Sequence, residues 1–291
     1  AKAADGQLRL GALGNLPGSF AFQNFTPTGF SSASLVSIDW NDDGLYDALL
    51  SGITTSGHRA TTLFYNVGGL QFQAASAPLL LQSGSIVHLA DLNNDAKPDL
   101  LLADHAPNHS GIWIYDISGP QAALVWDTVN LPVRTLSLHD VYRDGNLHAL
   151  FGGNSPSGQP ITAVLKNNRD WKFTVELIAT EESGITGTGD LNHDGWFDLA
   201  TSQQNQTTFW QNNEGEFVSM QERIGIGASQ VLLADLDSDG LIDRHVFGRN
   251  QLNQKVNSIF SFAGMVMELD TTRVVSQHFG DFDRDGDLDF F

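Results

Sequence analysis

The sequence predicts an all-β propeller of four-stranded blades, and three observations lead there. A nine-residue acidic pattern recurs six times along the 291 residues. Short apolar runs rich in β-branched, aromatic and aliphatic residues flank each copy, bounded by Gly, Asn, Asp and Ser, which is the patterning of strands joined by hairpins. No window sustains the 3.6-residue periodicity of an amphipathic helix.

The pattern is D-x-[DN]-x-D-G-x-x-D. It reads DWNDDGLYD at 39–47, DLNNDAKPD at 91–99, DLNHDGWFD at 190–198, DLDSDGLID at 235–243 and DFDRDGDLD at 281–289. A decayed copy, DVYRDGNLH, occupies 140–148, so successive copies start 45 to 52 residues apart. Before each loop comes a run such as Leu35-Val36-Ser37-Ile38 or Ile86-Val87-His88-Leu89, and after it one such as Ala48-Leu49-Leu50 or Leu100-Leu101-Leu102. Two more strand-like segments follow: Thr62-Leu63-Phe64-Tyr65 with Leu70-Gln71-Phe72, Ile112-Trp113-Ile114-Tyr115 with Leu124-Val125-Trp126, and Thr208-Phe209-Trp210 with Glu216-Phe217-Val218. The unit is therefore four antiparallel strands with the acidic loop between the first and second. Four-stranded units at this period are propeller blades, which bury their faces only against neighbouring blades.

The chain is read as a single propeller domain over residues 1–291. Two strand-like runs, Leu8-Arg9-Leu10 and Phe20-Ala21-Phe22, precede the first loop, and the sequence given stops two strands into its last unit. Six blades are expected, with the N-terminal strands completing the C-terminal blade; the alternative is a fragment of a seven- or eight-bladed ring.

The charge balance is lopsided, with 34 acids against 15 Lys and Arg and a net charge of -19. That disfavours nucleic acid, whose affinity comes largely from cations neutralising phosphates. It also disfavours an anionic membrane surface. The loops explain much of the excess, because the ligand positions of the five complete copies hold 17 of the 34 acids. Carboxylates and carboxamides at positions 1, 3, 5 and 9 of a tight turn converge on one hard cation, and Ca²⁺ takes six to eight oxygens at about 2.3–2.6 Å. About five structural Ca²⁺ ions are thus expected. Their ligands would be Asp39, Asn41, Asp43 and Asp47; Asp91, Asn93, Asp95 and Asp99; Asp190, Asn192, Asp194 and Asp198; Asp235, Asp237, Asp239 and Asp243; and Asp281, Asp283, Asp285 and Asp289. The bland alternative is a metal-free turn held by Asp and Asn side chains, but uncompensated carboxylates at this density repel one another.

Position 6 needs positive φ, which suits Gly; Ala96 in the second loop is the exception. The third loop carries Tyr142 and His148 at ligand positions and is expected to bind no calcium. An EF-hand is excluded, since position 12 is Leu50, Leu102, Thr201 or Val246 where an EF-hand has Glu.

With these residues in view, the chain resembles the FG-GAP/VCBS repeat family, the blades of integrin α-subunit heads and of many exported bacterial proteins. The resemblance covers about residues 34–291. Phe247-Gly248 and Phe279-Gly280 are the nearest traces of the eponymous Phe-Gly signature, so bacterial VCBS-type proteins are the closer comparison. It implies Ca²⁺ between the first and second strands of each blade. The family spans adhesins, lectins, polysaccharide-degrading enzymes and scaffolding subunits, so it leaves function open.

No G-x-S-x-G, P-loop, G-x-G-x-x-G or H-E-x-x-H motif occurs, and the chain is expected to be non-catalytic. His139-Asp140 resembles a metal-hydrolase pair only superficially. His88, His105 and His109 are read as satisfied or exposed, His193 as solvated and His245 as a strand residue. Trp40 and Trp196 are read as packing residues, with stacking on a sugar ring as the alternative; Trp113, Trp126, Trp171 and Trp210 are assigned to strands and the core between blades. Zero cysteines exclude disulfides and thiolate metal sites. The opening Ala1-Lys2-Ala3-Ala4-Asp5 fits a processed N-terminus, and no run approaches the roughly 18 apolar residues of a membrane helix.

The functional expectation is an extracytoplasmic module (secreted, periplasmic or cell-surface) for protein binding, scaffolding or adhesion. Its partner is expected to be a protein or a larger extracytoplasmic complex. A carbohydrate-binding lectin with a glycan partner is the alternative, and a polysaccharide lyase or hydrolase is the less favoured one.

Overall fold

The computed structural model describes residues 8–16, 19–69, 71–76, 79–119, 121–179, 184–203, 205–236, 239–261, 264–269, 279–280 and 289–290. Those residues form only strands, bridges, turns and loops, and among them no helix is long and apolar enough to cross a membrane. Contacts divide the chain into two compact units, Ala1–Val133 and Arg134–Phe291.

In the first unit, β1 (Arg9–Leu16) and β2 (Ser19–Pro27) form a hairpin. A four-stranded antiparallel sheet follows, β3 (Phe30–Ile38), β4 (Asp47–Thr54), β5 (Arg59–Asn66) and β6 (Phe72–Ala74), then a second of β7 (Ile86–Ala90), β8 (Asp99–Ala106), β9 (His109–Asp116) and β10 (Ala123–Val129). In both sheets the strands lie in chain order, the arrangement expected of a blade.

The second unit repeats the plan three times: β11 (Val133–His139) to β12 (His148–Asn154), β13 (Pro160–Asn167) and β14 (Phe173–Ala179); β15 (Gly184–Gly189) to β16 (Asp198–Gln203), β17 (Gln206–Asn213) and β18 (Glu216–Ile224); and β19 (Ile226–Ala234) to β20 (Asp243–Asn250), β21 (Lys255–Ser261) and β22 (Gly264–Glu268). A final pair, β23 (Phe279–Gly280) with β24 (Asp289–Phe290), matches the first two strands of a further copy.

Burial follows strand position. The second strand of each sheet is flanked on both edges and covered on both faces: the first six residues of β4, β8, β12 and β20 are all buried. Such strands read as continuous apolar runs in the sequence, because neither face meets water. The fourth strands β6, β10 and β14 are mostly exposed or half-buried.

Because side chains alternate along a strand, each sheet feeds two cores. Leu49 and Leu63 of the first sheet pack with Val87, Leu100, Leu102, Trp113 and Tyr115 of the second, while Ala48, Leu50 and Phe64 join Phe30 in a separate cluster. In the second unit Val141, Leu150 and Val164 meet Ile185 and Leu199, and on the next face Ala200 and Phe209 meet Ala228, Val231 and Val246. A half-buried Arg59 pairs with the buried Asp104 in the first unit, and Asp104 also accepts from Ser85 Oγ and from the His105 amide.

Candidate metal centres

Each acidic loop is the hairpin connection between the first and second strands of its sheet. The last ladder pairs before the turn are Ile38 with Asp47, Ala90 with Asp99, Gly189 with Asp198 and Ala234 with Asp243. The ninth-position aspartate is thus the first residue of the most buried strand. Asp47, Asp99, Asp198 and Asp243 are all buried, while positions 3 to 6 of the loops face solvent or are half-buried.

The first loop sets the bonding pattern. Asp39 accepts from the amides of Asp43 (3.0 Å) and Gly44 (2.8 Å), and Asp43 Oδ1 accepts from Leu45 N (2.8 Å). Asp47 reaches back to accept from Trp40 N at 3.0 Å, and its other oxygen accepts from Asn66 N at 2.8 Å. Asn41 Nδ2 donates to Asp43 Oδ2 at 3.0 Å. Positions 1, 3 and 5 are thus tied to one another through the turn, while the position-9 carboxylate bonds to the Trp40 and Asn66 amides.

The pattern repeats in three other loops. Asp91 accepts from Asp95 and Ala96, Asp190 from Asp194 and Gly195, and Asp235 from Asp239 and Gly240, at 2.8–3.1 Å. The back-reaching bonds run from Leu92 N to Asp99, Leu191 N to Asp198 and Leu236 N to Asp243. Asn93 donates to Asp95 and Asn192 to Asp194. Asp237, Asp281, Asp283 and Asp285 lie outside the described residues, and Asp289 is placed only as a residue of β24.

Position 6 takes positive φ in every described copy: Gly44 at 82°, Gly145 at 79°, Gly195 at 83°, Gly240 at 85° and Ala96 at 67°. Ala96 is thus held in the left-handed region, as its sequence context demands, at a cost of about 1–2 kcal/mol. Position 4 also takes positive φ, at Asp42, Asn94, Arg143 and His193, a constraint the motif pattern had not exposed.

The electrostatics are unfavourable for two of the buried ninth-position carboxylates. Burial, with Asp116, Asp95 and Asp91 adding negative charge, pushes Asp99 up to about 6, against a lowering bond from Leu92 N. Asp99 Oδ1 has no hydrogen-bond partner among the described residues. Burial also raises Asp198, and Asp194 and Asp190 reinforce it. The orphaned Asp99 oxygen is the one that in Asp47 and Asp198 accepts the Asn66 and Asn212 amides, while the donor set of the loops, all oxygen, suits a hard divalent cation.

One supporting residue was missed in the sequence. An Asx turn links the third and fourth strands of the sheets: Asn66 Oδ1 accepts from Gly68 N, Asn167 Oδ1 from Arg169 N, Asn212 Oδ1 from Gly215 N, and Asp116 Oδ1 from Ser118 N. In three of them, the backbone N–H of that same asparagine bonds the ninth loop residue: Asn66 to Asp47, Asn212 to Asp198 and Asn167 to His148. Its sequence signal was an Asn or Asp recurring 14 to 19 residues beyond the loop.

Among the described residues, the one place where three Asp, Glu or His side chains converge on a common point is the decayed loop. Asp140, Asp144 and His148 each place a donor atom within 4.8 Å of the others. Burial acts to raise Asp144, but bonds from Asn146 and His148 hold it below the usual carboxylate range.

The remaining candidates are structural. His109 stacks on Trp113 at 5.0 Å and sits 2.7 Å from Ser83 O, and His105 is exposed beside Asp104. His193 is exposed, and His245 is buried on β20, 2.7 Å from Asn257 Oδ1. Trp196 lies under the Arg143 guanidinium at 5.4 Å. Trp171 corrects its assignment: it sits in the turn between β13 and β14 at φ 59°, where the Asx turn of Asn167 takes it out of the strand.

Residues 190–246 match the family model described as an FG-GAP-like repeat. This segment runs from Asp190 of one acidic loop, through β16 to β19, into β20 beyond the next, so the match takes in two acidic loops and the strands between them. Among solved structures, the crystal structure of AofleA from Arthrobotrys oligospora is similar, at 13% identity and a TM-score of 0.43 over 90% of this chain and 80% of that one. No curated protein matches the chain.

Proposed function

We propose that the chain is a calcium-braced, extracytoplasmic binding module of the protein-interaction or adhesion type, without catalytic activity of its own. The observation that carries this is the loop network built four times over, all-oxygen at its ligand positions and with a buried aspartate at its root. Positions 1, 3, 5 and 9 would hold each ion. When bound, Ca²⁺ would neutralise the carboxylates and fix the hairpin. The residues themselves shape the turn, through positive φ at positions 4 and 6 and the back-reaching ninth carboxylate. A sheet braced at one end presents its exposed loops as a rigid surface, and rigidity lowers the entropic cost of docking.

A second reading rests on one specific cleft. Between the first two sheets lies a cavity of about 590 Å³, lined by Ile38, Trp40, Asp42, Tyr65, Lys97 and Ile117 among others. Two aromatic faces beside a carboxylate and an amine suit a sugar ring, apolar on one face and hydroxylated at its edge.

Two measurements test the proposal. Elemental analysis of the dialysed protein should find about five Ca²⁺ per chain, and finding none would remove the bracing role. Glycan-array screening in Ca²⁺ should be blank for a protein-docking module; specific sugar binding abolished by Trp40→Ala would replace it with the lectin reading. Turnover of a uronic-acid polymer would overturn both.

A further inference from the structure

We infer that the third loop, 140–148, is a clasp closed by the chain's own side chains, with His148 and Arg169 donating hydrogen bonds into a loop whose sisters are read as holding a cation. The contrast rests on the calcium reading of those loops; the clasp itself rests on the bonds described next.

The backbone half of the loop is unchanged. Asp140 accepts from Asp144 N and Gly145 N, both at 3.0 Å, and Asp144 Oδ1 accepts from Asn146 N at 2.9 Å. What differs is position 9. His148, buried, accepts the Asn167 amide on Nδ1 at 3.0 Å, the bond that Asp47 and Asp198 receive from Asn66 and Asn212. An imidazole nitrogen that accepts carries no proton, so in the neutral ring the proton is on Nε2. Nε2 lies 3.2 Å from Asp144 Oδ1, so its N–H donates to that carboxylate.

This excludes the most obvious alternative. A metal held by Asp140, Asp144 and His148 needs the Nε2 lone pair, which would move the ring proton to Nδ1 and set it against the Asn167 N–H, donor facing donor.

Arg169 completes the clasp. Its Nε donates to Asn146 Oδ1 at 3.2 Å and a terminal nitrogen donates to the Asp144 carbonyl at 3.3 Å, with its own backbone placed by Asn167 Oδ1. Tyr142, at position 3, turns outward: its ring meets His148 edge-on at 4.7 Å, Lys166 Nζ sits 4.3 Å from its centroid, and its hydroxyl donates to Glu176. The position that holds Asn or Asp in every other loop holds a phenol here.

Ring ¹⁵N NMR of the full chain, taken in EDTA, then Ca²⁺, then Zn²⁺, tests this directly. The expected result is an Nε2–H tautomer for His148 with shifts that neither metal moves. An Nδ1–H tautomer, or a metal-induced shift at His148, overturns the clasp. In a second arm, the double variant Tyr142→Asn/His148→Asp should bind one more Ca²⁺ per chain than the wild type by equilibrium dialysis. A variant with the wild-type circular dichroism spectrum and no added ion overturns the claim that these two side chains displaced the cation. Should the wild type bind no Ca²⁺ while His148 keeps its tautomer, the calcium reading of the other loops falls and the clasp stands.

Discussion

At the residue scale, Asp99 concentrates the electrostatic problem of the acidic loops. It is fully buried, carries an oxygen with no described partner, and has Asp91, Asp95 and Asp116 as negative neighbours. Asp99→Asn should therefore act with opposite signs in two buffers. In chelator the variant should be the more stable by about 1–2 kcal/mol, because it removes a disfavoured buried charge. In saturating Ca²⁺ it should be the less stable, having lost a charged ligand. Paired denaturation curves check this, and a variant destabilised equally in both buffers contradicts the ligand role. Ala96 offers a second test, since its φ of 67° suits glycine. Ala96→Gly should raise stability by about 1 kcal/mol by urea denaturation, relieving the left-handed penalty. His139 gives a pH signature. Burial lowers its pKa, and Thr188 Oγ1 lies 3.1 Å from its Nε2. Below an unfolded pKa of about 6.5 the unfolded chain binds the proton more readily, so this residue's contribution costs stability as pH falls. His139→Gln, compared with the wild type between pH 7 and 5, should show the shallower loss.

At the element scale, what was legible in the sequence were the features repeated by period. The second strands stood out because burial on both faces leaves continuous apolar runs such as Leu100-Leu101-Leu102, and the loops because four oxygen donors recur at fixed offsets. Non-local effects were hidden. Trp171 looked like a strand residue until the Asx turn at Asn167 placed it in a hairpin, and β6 starts at Phe72, with Gln71 outside it. The His148 bonds were invisible for the same reason: Asn167 lies 19 residues away and is brought back only by the pairing of β12 with β13. The sheet cores also make a prediction. Phe209 on β17 is fully buried between sheets, with the Arg244 guanidinium 5.2 Å from its ring. Phe209→Ala should cost about 3–5 kcal/mol through the cavity it leaves, and it strips a buried cation of its aromatic face. Chemical denaturation should place it well beyond Leu252→Ala, which truncates an exposed side chain.

At the scale of the whole molecule, the decisive quantity is the net charge of -19. Five Ca²⁺ ions would cancel more than half of it, and they would do so at the ninth-position aspartates, where burial makes the repulsion least screened. Removing the ions should therefore destabilise the protein in two separable ways. One is the loss of ligand bonds in each loop, which added salt cannot restore. The other is the return of long-range repulsion among surface carboxylates, which salt screens, since the Debye length falls from about 30 Å at 0.01 M to about 3 Å at 1 M. Melting temperatures in EDTA should accordingly rise as NaCl increases, yet stop short of the Ca²⁺-loaded value at any salt concentration. In Ca²⁺ the same titration should be nearly flat. Calorimetry across the four corner conditions separates the two contributions. If NaCl alone restored the full melting temperature, the loops would be ordinary acidic turns sharing a diffuse charge problem; if EDTA changed nothing at low salt, they would hold no cation at all. The third loop supplies an internal reference, because His148 and Arg169 close it from within and its amides should keep their hydrogen-exchange protection under all four conditions.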